Sequence, residues 1–240
     1  MAAVNRRVAT ALSPLILALA VSGGARAAPK VEDTMAQRVL ACTGCHGPEG
    51  RAASDGYYPR IAGKPAGYLY NQLVSFRDGR RQYTLMANLL APLTDDYLRD
   101  IAAHFAQLEL PYPPPPPATA GADVLARGET LVTKGDAALG VPACIQCHGA
   151  ALMGVTPSVP ALIGMPRDYL NAQLGAWRTG GRHAMAPDCM EEVAKKLAQS
   201  DITAISQWLG AQAVPAGAKP ASALPAPLPV PCGGVPGSPK

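Results

Sequence analysis

Cys42-Thr43-Gly44-Cys45-His46 and, about a hundred residues later, Cys144-Ile145-Gln146-Cys147-His148 are the residues with the plainest chemistry. Two thiols three positions apart, followed at once by an imidazole, suit covalent haem. The thiols add to the two vinyl groups and the imidazole binds iron from the proximal side. Zinc is the rival reading, but each copy offers three ligands, and a closed tetrahedral site needs a fourth that no paired Cys or His supplies nearby. A redox dithiol is the other alternative, and it calls for a strand and helix alternation that neither copy shows. The expectation is two haem c groups, with Cys42, Cys45, Cys144 and Cys147 as covalent anchors and His46 and His148 as iron ligands.

The motif is the start of a longer repeat. Pro59, Gly63, Pro65, Tyr68, Leu69, Gln72, Arg77, Gly79 and Arg81 recur as Pro160, Gly164, Pro166, Tyr169, Leu170, Gln173, Arg178, Gly180 and Arg182, every pair 101 positions apart. Independent packing demands would not reproduce Pro, Gly, Tyr and Arg in step, so the chain reads as two homologous lobes.

The elements that must position these groups read as helices. Met35, Val39 and Leu40 precede the first motif on one face, and Val124, Leu125, Leu131 and Val132 precede the second. A middle helix carries Tyr68, Leu69, Leu73 and Phe76 and ends at Asp78-Gly79; its copy carries Tyr169, Leu170, Leu174 and Trp177 and ends at Thr179-Gly180. A last helix opens at Thr94 as N-cap, with Asp95 and Asp96 in the first turn and Leu98, Ile101, Phe105 and Leu108 at helical spacing. Ser200, Asp201, Ile202, Ile205 and Leu209 echo it. No segment reads as a strand.

The remaining axial position of an iron held by one His decides function, because an open or exchangeable position permits chemistry while a closed one favours electron transfer. Met86 is the one Met between the first motif and its last helix. The second lobe offers Met153, Met165, Met185 and Met190, and aligning the closing helices at an offset of 104 carries Met86 onto Met190. Met86 and Met190 are the expected sixth ligands, with Met185, His183 and an open site as the alternatives for the second iron.

The 240 residues hold 48% apolar and 16% charged side chains, with 25 Pro, 24 Gly and six Cys. That is enough for a core, and it excludes a disordered polymer, a disulfide knot, collagen and a coiled coil. Residues 1–28 read as a secretory signal: Arg6 and Arg7, an apolar Leu12 to Val21, and Ala25-Arg26-Ala27 before the cleavage point. An uncleaved anchor is the alternative. The net charge of +4 comes from 21 basic and 17 acidic residues, and three of the basic ones lie in this leader, which holds no acid. The remainder is nearly neutral, without the clustered basic face that nucleic-acid binding needs. Pro111 and Pro113 to Pro117 make an extended spacer, and beyond Ala213 a Pro- and Ala-rich tail lacks the apolar residues for its own core. The expected organisation is a leader over 1–28, a first domain over 29–110, a linker over 111–120, a second domain over 121–213 and a tail over 214–240.

On these residues both lobes resemble class I cytochrome c domains, and their tandem arrangement resembles the dihaem cytochrome c4 family, over roughly residues 31 to 213. The resemblance implies an all-α fold of two tandem cytochrome c domains joined by the Pro-rich linker and packed about a pseudo-twofold axis. It implies Pro59 and Pro160 carbonyls accepting the N–H of His46 and His148. It also offers Arg77, Arg81, Arg178 and Arg182 to the haem propionates, a solvated basic turn being the alternative for each. The implied function is that of an exported, periplasmic electron carrier. It would take single electrons from a quinol-oxidising complex or a dehydrogenase and pass them to a terminal oxidase, as a monomer or weak dimer, with peripheral association to membrane complexes. The alternatives are a dihaem enzyme of the thiosulfate dehydrogenase or peroxidase type, reactive at the second haem, and the cytochrome subunit of a dehydrogenase complex.

Cys189 and Cys232 depart from the simplest pattern of that family. With four Cys used by haem, an oxidising compartment favours a disulfide between these two that pins the tail across the second haem. Free thiols and an intermolecular bridge are the alternatives.

Overall fold

The computed structural model describes residues 32–53 and 56–238, and the expected leader over 1–28 lies outside them. Residues 33–240 form one compact unit. Its order is α1 (Met35–Arg38), α2 (Leu40–His46), α3 (Ala66–Arg77), α4 (Thr84–Leu90), α5 (Asp95–Ala106), then α6 (Ala122–Thr133), α7 (Cys144–His148), α8 (Arg167–Thr179), α9 (Cys189–Lys196) and α10 (Gln199–Gly210). A 3₁₀ turn spans Pro48–Gly50. Among the described residues the only sheet-like pairings are isolated bridges. The fold is all-α, as the periodicity implies.

Two sets of five helices enclose two separate apolar clusters. Leu98, Ile101 and Phe105 of α5 pack with Val39, Tyr68 and Leu69 in the first. Leu131 and Val132 of α6 pack with Ile202, Ile205 and Leu209 of α10 in the second. Gly128 lets α6 cross α10 closely, because a Cβ there would overlap the Ala204 carbonyl. These residues are apolar at helical spacing, so each helix has one stripe to bury and finds it on its neighbour.

Local signals set most of the ends. The Thr94 side chain accepts from Tyr97 N–H at 3.3 Å and starts α5, and Gly180 in the left-handed conformation stops α8. The second lobe differs from its expected echo. Its last helix starts one residue before Ser200, with Ala198 as N-cap, because Asp201 at the third helical position accepts the Ala198 backbone N–H at 3.2 Å. The short helices α4 and α9 carry no periodic signal long enough to be read in advance.

The Pro-rich segment is extended and held by the lobes on both sides. Arg60 donates to Leu110 O at 2.6 Å and to Pro111 O at 3.1 Å, and lies 3.9 Å over the Tyr112 ring. The tail over 214–238 contains no helix, yet it is fastened along its length. Thr156 N–H donates to Ala221 O and Ala221 N–H to Gly154 O, both at 2.9 Å. Lys219 pairs with Glu109, Asn71 donates to Gly234 O at 3.0 Å, and Leu228 is buried.

Candidate functional site

Both motifs sit on short helices that end at the histidine. His46 closes α2 and His148 closes α7, and a glycine with positive φ follows each, turning the chain back toward the Pro segment. There the two lobes build the same contact. His46 Nδ1 lies 2.8 Å from Pro59 O, and His148 Nδ1 lies 2.8 Å from Pro160 O. A carbonyl only accepts, so the proton sits on Nδ1 and Nε2 keeps its lone pair for a metal. Both rings are buried, 8% and 6% exposed, and burial holds both imidazoles below the usual histidine range, which favours the neutral, ligating form.

In the second lobe the ring and both thiols of the motif line one cavity. Its walls include Leu131, Val159, Leu170 and Ile205, and Met165, Met185 and Met190 all line it. Burial pushes the Cys144 thiol up to about 12, so this side chain is an inert neutral thiol until it is alkylated. Met190 stands in the first turn of α9 and Met86 in the first turn of α4, so the two lie in corresponding elements. Met86 packs against the first apolar cluster. Met185 is 44% exposed. The ring of His183 faces Glu191 at 3.6 Å.

Cys189 and Cys232 are joined by a disulfide, with Cα atoms 5.0 Å apart. The bond ties the residue before Met190 to the tail, and Gly233 N–H donates to Pro187 O at 2.9 Å beside it. Leu228, Val230, Cys232, Gly234 and Val235 thereby form one wall of the second cavity. The tail is part of this site.

The four arginines divide into two pairs. Arg77 is taken by Asp95 at 2.7 Å and Asp78 at 3.0 Å, and exposed Arg178 donates to Gln199 at 3.4 Å, both at the ends of their helices. Arg81 and Arg182 meet between the lobes. Each donates to the Gln of its own lobe and to that of the other: Arg81 to Gln72 at 3.1 Å and Gln173 at 2.7 Å, Arg182 to Gln173 at 2.7 Å and Gln72 at 2.9 Å. Each guanidinium also lies over its own aromatic ring, Arg81 over Phe76 at 4.4 Å and Arg182 over Trp177 at 3.8 Å. Arg182 lines the second cavity. Burial, and then the charge of Arg81, lower its pKa. Two guanidinium groups share neutral acceptors here and no carboxylate.

These features fit haem. Each lobe brings paired thiols and an imidazole with a free Nε2, and the second cavity is apolar with three methionine thioethers in its lining. Cationic groups without anionic partners stand at Arg182 and at Lys64, whose buried Nζ has no hydrogen-bond partner. An anionic group such as a haem propionate is of the chemical kind that would satisfy such cations.

Comparison with known proteins agrees with this fit. No protein-family model matches the chain. A thiosulfate dehydrogenase electron acceptor from Thiomonas intermedia is 36% identical over 198 residues, 82% of this chain and 90% of the relative. A cytochrome c4 from Pseudomonas aeruginosa is 34% identical over 200 residues, 82% of this chain and 96% of the relative. Among solved structures, reduced recombinant cytochrome c4 from Pseudomonas stutzeri matches with a TM-score of 0.62 at 30% identity, over 73% of this chain and 95% of that one. With two CxxCH helices, two His-to-Pro contacts and two five-helix sets in one compact unit, the chain belongs to the dihaem cytochrome c4 family and carries two covalently bound haem c groups that serve electron transfer.

Proposed function

We propose that this protein is a periplasmic electron carrier that accepts single electrons from a dehydrogenase of the thiosulfate-oxidising class and passes them to a terminal oxidase. The name of the Thiomonas relative favours this donor over a quinol-oxidising complex. In this reading residues 29–110 and 121–213 are the two haem domains, 111–120 the linker, 214–240 the tail, and 1–28 a cleaved leader. No helix among the described residues is long and apolar enough to cross a membrane.

The observation that carries the reading is the equivalence of the two sites, each with a buried histidine held at 2.8 Å by a Pro carbonyl. Cys42, Cys45, Cys144 and Cys147 would hold the porphyrins, His46 and His148 would offer Nε2 to the irons, and Met86 and Met190 would offer sulfur; the irons so held would supply one-electron chemistry. The Pro59 and Pro160 carbonyls fix ring orientation and raise ligand basicity. The apolar walls limit water, and the Arg81 and Arg182 network holds the lobes in one arrangement.

A reactive second haem is the competing reading, and the tail weighs against it. Leu228, Val230 and Val235 of the tail add apolar side chains to the lining of the second cavity, beside the Cys189–Cys232 bond. The test is optical. Two haems per chain, each with the near-infrared sulfur-to-iron band, together with rapid reduction by a thiosulfate dehydrogenase and no turnover of thiosulfate or peroxide alone, is the expected outcome. A missing band on one haem, with turnover, would overturn it.

A further inference from the structure

The two lobes match closely around the segment that follows the histidine's Pro partner. Gly63 and Gly164 both have φ +72°, and Pro65 and Pro166 cap their helices with φ −52° and −59° and ψ 133° and 138°. Between each Gly and Pro lies one buried side chain. In the second lobe it is Met165, 7% exposed and lining the cavity of the CxxCH motif. In the first lobe it is Lys64, 3% exposed.

A lysine that keeps its charge at that depth calls for an anion, because an unpaired ammonium taken out of water is strongly disfavoured. No described residue supplies it. The Nζ has no hydrogen-bond partner, and the charged group that acts on it is Arg60, which is also cationic. Arg60 itself is held by carbonyls of Ala62, Leu110 and Pro111 and does not bring a carboxylate near. Burial, with Arg60 beside it, lowers the Lys64 ammonium to about 8. The anions that belong to the site but not to the chain are the carboxylates of the haem.

We propose that Lys64 is the counter-cation of a propionate carboxylate of the first haem, a partner the second haem lacks because Met165 stands in its place. A fixed positive charge near the iron disfavours the oxidised state, which carries one more positive charge, so Lys64 raises the potential of the first haem alone. The Lys64/Met165 difference thus moves the two potentials apart. The inference rests on the chain carrying both haems and is independent of its donor and acceptor.

Redox titration of the holoprotein, followed optically and with haem counted per chain, tests it. In Lys64→Met one of the two waves moves to lower potential by at least a tenfold change in the reduction equilibrium, which is 59 mV for one electron, and the other stays. Met165→Lys moves the other wave upward, and Lys64→Arg leaves both near their original positions. Two haems with both waves unmoved in Lys64→Met would overturn the proposal, as would equal movement of both. Should Lys64→Met fail to mature, Lys64→Arg decides: retained haem and potential support the charge role, and the same failure in Lys64→Arg overturns it.

Discussion

Arg81 and Arg182 face each other across the two lobes and share both Gln72 and Gln173 as acceptors, so that each glutamine oxygen receives one guanidinium from its own lobe and one from the other. The backbone reinforces the exchange: Gln82 N–H donates to Gly181 O at 3.0 Å, and His183 N–H to Arg80 O at 2.6 Å. Arg81 adds a bond to the Tyr169 hydroxyl at 2.9 Å. Residues equivalent by duplication have become partners by docking, and the contact is isologous in the way of a twofold dimer.

Replacing Arg182 with Met removes two charge-assisted hydrogen bonds from a buried position and leaves Gln72 and Gln173 oxygens under-satisfied. A loss of about 2–3 kcal/mol is expected. Urea unfolding of the oxidised holoprotein measures it, and a second transition should emerge as the lobes unfold separately. A single transition at the original midpoint would refute the bridging role.

Gly67 in α3 lies where the lobes touch. A Cβ at this position would stand 2.7 Å from Pro157 O, and Tyr68 N–H donates to that same carbonyl at 3.2 Å. Gly67→Ala must push the second lobe back, at about 1–3 kcal/mol. The same change at Gly175, which has open space around its Cβ position, should be harmless or slightly stabilising, and thermal melts of the two variants make the comparison.

The Cys189–Cys232 disulfide closes a span of 43 residues, for which the chain-entropy account gives up to about 4 kcal/mol. Cys232→Ser should lower the melting temperature. It should also open the Ala-rich tail to limited proteolysis by an elastase-type protease while leaving both haems attached, since none of the four motif cysteines is involved. Mass spectrometry of the digest reads the outcome, and a tail as resistant as in the parent protein would count against its being fastened by this bond.

Arg127 ties α6 to the loop before α7 and to α10, through Asp136 at 2.9 Å and Asp201 at 2.8 Å. The hydrogen bond from Arg127 holds the Asp136 carboxyl below its ordinary 3.8. A carboxylate with a depressed folded pKa contributes stability that is present above its unfolded value and lost as pH falls through the folded one. Stability of the parent protein should therefore drop as the pH goes below about 4. Asp136→Asn should be less stable at neutral pH and show a shallower loss over the same acid range. Denaturation midpoints across a pH series check both the sign and the window.

The two CxxCH motifs were legible because each follows from residue types and spacing within five contiguous residues, and the Pro59 and Pro160 contacts, found at 2.8 Å, were legible through the family resemblance. The roles of Gln72 and Gln173 were not, although both stand in the repeat, because a repeat says which residues correspond and not which of them touch. The helices α4 and α9, at seven and eight residues, are too short to show a period. Lys64 reads in sequence as an ordinary exposed lysine, and only the fold buries it.

What the sequence by itself determined is the covalent chemistry and its duplication. Thioether formation and proximal ligation depend on five adjacent residues, and the 101-residue register carries that chemistry into a second lobe. Tertiary structure decided how the lobes meet and, beyond the Cys189–Cys232 bond expected from the cysteine count, where the tail runs, because those relations join residues far apart in the chain: Arg81 to Gln173, Asn71 to Gly234, Lys219 to Glu109. Local propensity carries no information about such pairs, and only burial and charge, balanced over the whole molecule, select them.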